Sequence, residues 1–441
     1  MEREIVKDLI TWKNQKHPKP LLVRGARQIG KTHTIEKFGA ENFSNCVTLN
    51  FEEESRFTEC FTTLDPKKIV TAIELMTGKD IIPGKTLLFL DEIQECPKAI
   101  MALRYFKEKH PEYHVIGAGS LLEFILHNEN FRFPVGRIES LYMRPLTFVE
   151  FLDSMGEAKM REHLKEITLE NPPLAAIHNK YLDLLRLYLA LGGMPEVIYE
   201  YSQTQDLSRC QKIQTTLLNS YRDDFGKYAK YTEYNHLRLL YERAPGVIAK
   251  WFKYSKIDPD IQSRILKAAL HKLTDAGLIY PVHATSASGI PLVATVNEKK
   301  FKLLFLDVGL VKRACRIDLD LLLEEDIMLL NQGALAEQFV GQELLALNGP
   351  HEPPSLHFWS REKTGSSAEV DYLWTIGQKI FPIEVKAGAT GNLRSLKIFM
   401  EEKSTPLGIR ISTAPLSQEE KIVSIPFYLI SEINRIIRKQ L

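Results

Sequence analysis

Cysteine is sparse in this 441-residue chain: Cys46, Cys60, Cys96, Cys210 and Cys315 are scattered, and no C-x-x-C pair occurs. Zinc sites and disulfide frameworks rest on paired cysteines, so neither is expected, and a reducing cytosol is the compartment that fits. Long apolar runs are also lacking. A membrane-spanning helix needs roughly 18 or more consecutive apolar residues, and the most apolar segment, Tyr181 to Met194, is interrupted by Asp183 and Arg186. The N-terminus carries acids early and has no apolar core segment, so it does not read as a signal peptide. Net charge is nearly absent, with 57 Lys and Arg against 56 Asp and Glu, or +1. That balance excludes nucleic-acid binding driven by the charge of the whole chain, though not by a local basic face. There is no internal repeat and no low-complexity tract.

What remains is an ordinary globular composition, 44% hydrophobic and 26% charged. Its length suits about three domains. Residues 1–150 alternate short apolar runs (Leu21-Leu-Val, Cys46-Val-Thr-Leu, Leu87-Leu-Phe-Leu, His114-Val-Ile) with helical patterns. That rhythm predicts buried parallel strands in an α/β sheet. From about Pro145 the strand signals stop. Residues 151–230 read as a helical, lid-like segment, broken at Asn171-Pro-Pro and at Gly192-Gly-Met-Pro, with helix continuing to about 255. Residues 231–325 contain a helix from about Asp260 to Asp275. Two strand-like runs follow it, Leu278 to Ala284 and Leu292 to Val296, around Ser286-Ala-Ser-Gly. A helix followed by a hairpin is the pattern of a winged helix. Lys267, His271 and Lys272 on that helix either meet nucleic-acid phosphates or form a solvated face. Residues 326–441 form a further α/β unit, with a helix from Gly333 to Leu347 and strands at Ala368 to Ile376 and Lys379 to Val385, joined at Gly377-Gln378.

The first chemical motif is Gly25-Ala-Arg-Gln-Ile-Gly30-Lys31-Thr32, a G-x-x-x-x-G-K-[ST] phosphate loop set between a strand and a helical pattern. Gly25 and Gly30 let backbone N–H groups converge on phosphate, Lys31 reaches the β- and γ-phosphates, and the Thr32 hydroxyl ligates Mg²⁺. The run Leu87-Leu-Phe-Leu90 ends in Asp91 and Glu92. Asp91 is placed to hold Mg²⁺ through water and Glu92 to polarise the attacking water. A third run, His114 to Gly119, ends in Ser120, which reads either as a γ-phosphate sensor or as a loop serine. After a flexible-looking stretch, Phe131–Pro134, comes Arg137, either an arginine finger or a surface arginine. ATP and Mg²⁺ are therefore the expected ligands. An arginine finger acting in trans would require a nucleotide-dependent oligomer.

The second motif is Glu369-Val-Asp371, then Ile380-Phe-Pro-Ile-Glu384-Val-Lys386, preceded by a helix that carries Glu337. Strand alternation puts Glu384 and Lys386 on one face. The arrangement resembles the PD-(D/E)xK nuclease fold. In that reading Asp371, Glu384 and Glu337 offer hard oxygen ligands to Mg²⁺, and Lys386 steers the attacking water. Charged residues also alternate on exposed strands for no catalytic reason, and a domain of this kind also serves as a binding module without cleavage.

The ordered set Gly25 to Thr32, Leu87 to Gln94, Gly117 to Ser120 and Gly136 to Leu152 resembles a bacterial and archaeal group of AAA-type (AAA_14-like) ATPases followed by a C-terminal region of the DUF4143 kind. Gly192 to Ile198 and Leu303 to Leu310 fit the same group. The resemblance covers essentially the whole chain. It implies an ATPase module, a helical segment, a winged helix and a terminal restriction-endonuclease-like fold. Ser120 departs from the asparagine usual in better-known AAA-type ATPases. The expected function is ATP hydrolysis that drives a switch coupled to a nucleic-acid-directed, nuclease-like domain, with DNA as the candidate partner. The alternative is a signalling ATPase whose C-terminal domain binds protein or DNA without cutting.

Overall fold

The computed structural model describes residues 2–126, 131, 136–229, 231–317, 333–361, 368–388 and 391–441. The expected boundary at 325/326 lies outside them, and of the stretch Phe131–Pro134 only Phe131 is described.

Five short strands build the first sheet: β1 (Leu21–Arg24), β2 (Asn45–Asn50), β3 (Thr86–Asp91), β4 (His114–Gly119) and β5 (Glu139–Tyr142). All pairings are parallel, in the order β2-β3-β4-β1-β5. The apolar runs of β3 and β4 are buried at every position, as expected for strands covered by helices on both faces. β4 is inserted between β1 and β3, so the residues that follow these three strands emerge side by side at one edge. β5 is an edge strand whose amide at Tyr142 donates to the Pro350 carbonyl (2.7 Å), far along the chain.

Helices Phe148–Ser154, Ala158–Leu164, Ala175–Leu191, Pro195–Thr204 and Leu207–Asp223 follow. Thr147 begins the first with a capping box: its hydroxyl accepts from the Glu150 amide, while Glu150 accepts from the Thr147 amide. Pro195 opens the fourth at its first position, where a missing N–H costs nothing. The helical pattern to residue 255 is interrupted by a 3₁₀ turn over Ala244–Val247, which contains Pro245-Gly246.

A second sheet of eight strands occupies the C-terminal half: β6 (Ile279–Thr285), β7 (Val296–Phe305), β8 (His357–Ser360), β9 (Glu369–Ile376), β10 (Lys379–Val385), β11 (Gly408–Ser412), β12 (Ser417–Glu419) and β13 (Ile422–Pro426). The order is β12-β13-β11-β10-β9-β8-β6-β7. A helix at Ser263–Asp275 precedes β6, and the antiparallel hairpin β6–β7 forms. Its second strand differs from expectation. Leu292–Thr295 is a 3₁₀ turn, with the Thr285 hydroxyl donating to the Leu292 carbonyl (3.1 Å), and the strand runs over Val296–Phe305. Polar, exposed residues at its start masked it, and its buried half begins only at Phe301. β6 also pairs in parallel with β8, so the hairpin is continuous with the sheet that bears β9 and β10. The β9–β10 hairpin turns at Gly377-Gln378, with Gly377 at φ 61°.

One apolar core runs from Ile5 to Ile437 and touches both sheets. Buried polar contacts tie the segments within it. Asp307, fully buried, accepts from the amides of Gly193 (2.6 Å) and Leu310 (3.0 Å). Burial pushes its carboxyl up to about 6, opposed by those amides. Gln342 accepts from the Val308 amide and donates to the Tyr188 hydroxyl (2.9 Å for each). Glu343 accepts from the Phe148 amide at 3.1 Å, and burial raises its carboxyl from the ordinary 4.5 to about 8. The fold thus holds this proton more tightly than the unfolded chain does. The stability so gained is complete below about pH 4.5 and is lost as pH rises through about 8. Glu343→Gln keeps the acceptor and removes the titration. Urea unfolding of this variant across that window will show a shallower loss of stability with rising pH than the parent, and parallel curves would refute the assignment.

Candidate functional site

The C-terminal ends of β1, β3 and β4 bring the phosphate loop, the two acids and Ser120 together. After β1 the loop turns back on itself and then starts the helix Lys31–Asn42. Gly25 lies at φ 140°, and a Cβ there would sit 2.3 Å from the Met143 carbonyl oxygen, so only glycine fits. Gly30 lies at φ 88° and caps the helix from the left-handed region. Lys31 is buried, and its ammonium donates to the carbonyls of Gly25 (3.0 Å) and Ala26 (2.7 Å). Burial pulls its pKa down to about 8, against the pull of Glu92 and Asp91.

Thr32 Oγ1 donates to Asp91 Oδ2 at 2.8 Å. A hydroxyl and a carboxylate so placed, beside a phosphate-binding loop, form the donor set expected for Mg²⁺. Burial raises the Asp91 carboxyl, and the Thr32 hydroxyl opposes this. Glu92 adopts φ 46°, a left-handed conformation that is strained for a residue with a side chain. The twist lets its carboxylate accept from Gln94 (2.6 Å) and from the Ser120 hydroxyl (3.3 Å). Asp91, Glu92, Ser120, Lys31 and Thr32 therefore form one cluster, as their sequence positions predict.

Arg137 is not part of that cluster. It pairs with Glu108 at 2.9 Å, is half exposed, and lies two residues before β5. β5 runs parallel to β1 with Leu21 opposite Glu139, so Arg137 sits at the edge of the sheet opposite the phosphate loop. The arginine that does reach the cluster is Arg27, inside the loop itself. Its Nε donates to Ser120 Oγ (3.1 Å), one terminal nitrogen bridges Asp224 (2.8 and 3.0 Å), and the other meets Glu52 (2.8 Å). Tyr221, at the end of the helix Leu207–Asp223, donates its hydroxyl to the Arg27 carbonyl at 2.8 Å. Lys227 reaches Glu52 at 2.6 Å. The loop is thus fastened to the corner between the helices Leu207–Asp223 and Phe225–Tyr228. Sequence reading passed over Arg27 because the motif leaves its position free; a charged residue inside a phosphate loop was the available signal.

Lys267 and His271, on the helix that precedes β6, are exposed, while Lys272 pairs with Glu233 at 2.7 Å.

The C-terminal acids also converge. Glu337 lies in the first turn of the helix Ala334–Leu347, and Glu369 and Asp371 lie two apart on β9. Asp371 Oδ2 accepts from the Val385 amide at 2.8 Å. Glu384 Oε1 accepts from Lys386 at 2.7 Å, and its Oε2 is buried without a partner. Burial raises both Glu337 and Glu384, and the nearby charge of Asp371 adds to each rise. A residue absent from the expected set sits among them: Lys302 of β7, buried, with Nζ 3.3 Å from Glu337, 2.5 Å from Glu369 and 3.6 Å from Asp371. Among the described residues, no three His, Cys, Asp or Glu side chains are grouped so as to hold a metal ion. Nor is any helix among them long and apolar enough to cross a membrane.

The sequence matches family models over three stretches: an AAA domain over residues 17–152, a domain of unknown function (DUF8612) over 182–321, and a second such domain (DUF4143) over 332–429. No curated protein matches it. Solved structures that resemble it include the Walker-type ATPase PABY2304 of Pyrococcus abyssi, at 14% identity and TM-score 0.46, covering 71% of this chain and 95% of that one. The Aeropyrum pernix Orc1 protein in complex with DNA (12% identity, TM-score 0.28) covers 73% and 93%. The Thermotoga maritima RuvB Holliday junction branch migration motor (17% identity, TM-score 0.31) covers 64% and 89%. The chain thus carries an AAA domain over residues 17–152 and a C-terminal domain of the DUF4143 kind over residues 332–429.

Proposed function

We propose that this chain is a Mg²⁺-dependent ATP hydrolase whose nucleotide state sets the position of its helical segment against a C-terminal domain directed at nucleic acid. The observation that carries the reading is the single cluster of Lys31, Thr32, Asp91, Glu92 and Ser120 at the phosphate-loop edge of the first sheet. Backbone amides between Gly25 and Thr32 cradle the phosphates, and the Lys31 ammonium exchanges its two carbonyl partners for phosphate oxygens. Thr32 and Asp91 would hold Mg²⁺, which when bound neutralises phosphate charge. Glu92, held by Gln94 and Ser120, orients and polarises the attacking water. The bonds of Ser120 to both Glu92 and Arg27 support a role for it as reporter of the γ-phosphate.

Arg27 supplies the coupling. Its guanidinium is shared between Ser120 on the nucleotide side and Asp224 and Glu52 on the other. A phosphate that arrives beside Ser120 competes with those carboxylates for the same donors. Loss of the Asp224 contact frees the corner at residues 221–228. Arg137, at the opposite edge, acts on hydrolysis only from a second copy, which makes a nucleotide-dependent oligomer part of this reading.

For the C-terminal domain, the helix Ala334–Leu347 and the β9–β10 hairpin bring Glu337, Asp371, Glu384 and Lys386 together, which supports a restriction-endonuclease-like fold, and the helix before β6 with the hairpin β6–β7 supports a winged helix. Cleavage there would require divalent metal at Asp371 and Glu384. The presence of Lys302 among these acids favours the second reading, in which the domain binds a DNA or protein partner without cutting.

Glu92→Gln is expected to bind a fluorescent ATP analogue like the parent and to release phosphate roughly 10²-fold or more slowly, whereas Lys31→Ala loses nucleotide binding. Parental turnover in either variant would overturn the assignment. A double-mutant cycle of Arg27→Ala and Asp224→Ala, measured by denaturant unfolding of the nucleotide-free protein, should give a coupling of about 1 kcal/mol for this partly buried pair. Additive effects would show that the pair carries no coupling.

A further inference from the structure

The C-terminal cluster contains three carboxylates around one point: Glu337 from a helix and Glu369 and Asp371 from one face of β9. Three acids gathered in a largely buried pocket repel one another, and such a pocket ordinarily receives its positive charge from a bound divalent ion. Here the charge is already part of the chain. Lys302 is almost entirely buried, with its ammonium 2.5 Å from Glu369, 3.3 Å from Glu337 and 3.6 Å from Asp371. A lysine ammonium has three donors and no acceptor, and three carboxylates surround this one. The fourth acid, Glu384, has its own ammonium from Lys386.

The position of Lys302 is fixed by the fold. It lies on β7 opposite Val282 of β6, and its ammonium sits 5.2 Å from the centre of the Phe358 ring on β8. β7 is the edge strand of the eight-stranded sheet, but the Lys302 side chain is turned inward and only 4% exposed, so it does not swing out as a surface lysine would. Next to it, Glu369 also accepts from the Trp251 indole, and the Lys300 ammonium lies 3.8 Å from the centre of that ring. The indole thus holds Glu369 beside Lys302, and Lys300 of β7 packs over the indole.

We propose that Lys302 is the resident cation of this cluster and occupies the place a divalent metal ion would take, so that the intact chain binds no metal there. The inference rests on the nuclease-like reading of the acids. The cation comes from outside the stretch that supplies the acids: Lys302 falls within residues 182–321, and all four acids fall within 332–429. A divalent ion beside the ammonium would be repelled by it and would find its oxygen ligands already engaged. Removal of the ammonium leaves Glu337, Glu369 and Asp371 without a cation, and side-chain rearrangement toward the emptied position lets these hard oxygen ligands close on a divalent ion.

The test is Mn²⁺ binding to the nucleotide-free full-length protein, followed by electron paramagnetic resonance, with Asp371→Asn in each background to assign the site. The parent should show no binding that depends on Asp371. Lys302→Met should gain one Mn²⁺ site, tighter by roughly tenfold or more than any in the parent and lost again with Asp371→Asn. Asp371-dependent Mn²⁺ binding in the parent would overturn the proposal while leaving the nuclease-like reading intact. If folded Lys302→Met gains no site, the proposal and the nuclease-like reading fail together. Should Lys302→Met not fold, the comparison of parent with Asp371→Asn still decides between the first two outcomes.

Discussion

An ionised side chain removed from water must meet its opposite charge or a set of hydrogen-bond donors, and in this chain those partners come from distant parts of the sequence. Asp307 takes its amides from Gly193 as well as from its own helix. Arg27 takes its carboxylates from Glu52 and Asp224. Lys302 takes its carboxylates from Glu337, Glu369 and Asp371. Each pairing crosses between segments, so the relative placement of the segments is specified by charge satisfaction as well as by the shared apolar core. A buried pair of this kind adds little net stability, but removing one partner is costly. Such contacts therefore make good registers between units and good points at which a ligand redirects the structure.

The phosphate-loop edge is where nucleotide is proposed to act in this way. Its layout is local in sequence: the meeting of the loop, Asp91 and Glu92 at the end of β3, and Ser120 after β4 was legible, because each lies where a buried strand runs out and the side chains there must emerge at one edge. Gly25 and Gly30 could also be read, since both occupy backbone that a side chain would strain or block. Arg27 and Arg137 show where this legibility stops. The loop motif leaves position 27 free, so its bridge to Asp224, some two hundred residues on, has no signature in spacing. Arg137 was attractive for its chemical type, and its distance from the loop follows only from the parallel pairing of β5 with β1.

The same division holds in the C-terminal half. Glu337, Asp371, Glu384 and Lys386 could be found because a helix and a two-residue hairpin turn fix their order. Lys302 could not. It lies in a run, Lys299-Lys-Phe-Lys, whose exposed beginning hides the strand, and its meeting with the acids depends on the parallel pairing of β6 with β8. Periodicity reports which face of a strand is buried and carries no information about which strand lies beside it. The β6–β7 hairpin is continuous with the sheet that holds the acids, and it brings a cation to them.

The central claim is that nucleotide bound at the phosphate loop is felt at the corner between the helices Leu207–Asp223 and Phe225–Tyr228 through Arg27. Hydrogen–deuterium exchange of the full chain, with and without a non-hydrolysable ATP analogue and Mg²⁺, measures this directly. The account predicts faster exchange at residues 221–228 when nucleotide binds, and no such change in Arg27→Ala. A response confined to residues 25–32, with 221–228 unchanged in the parent, would contradict it.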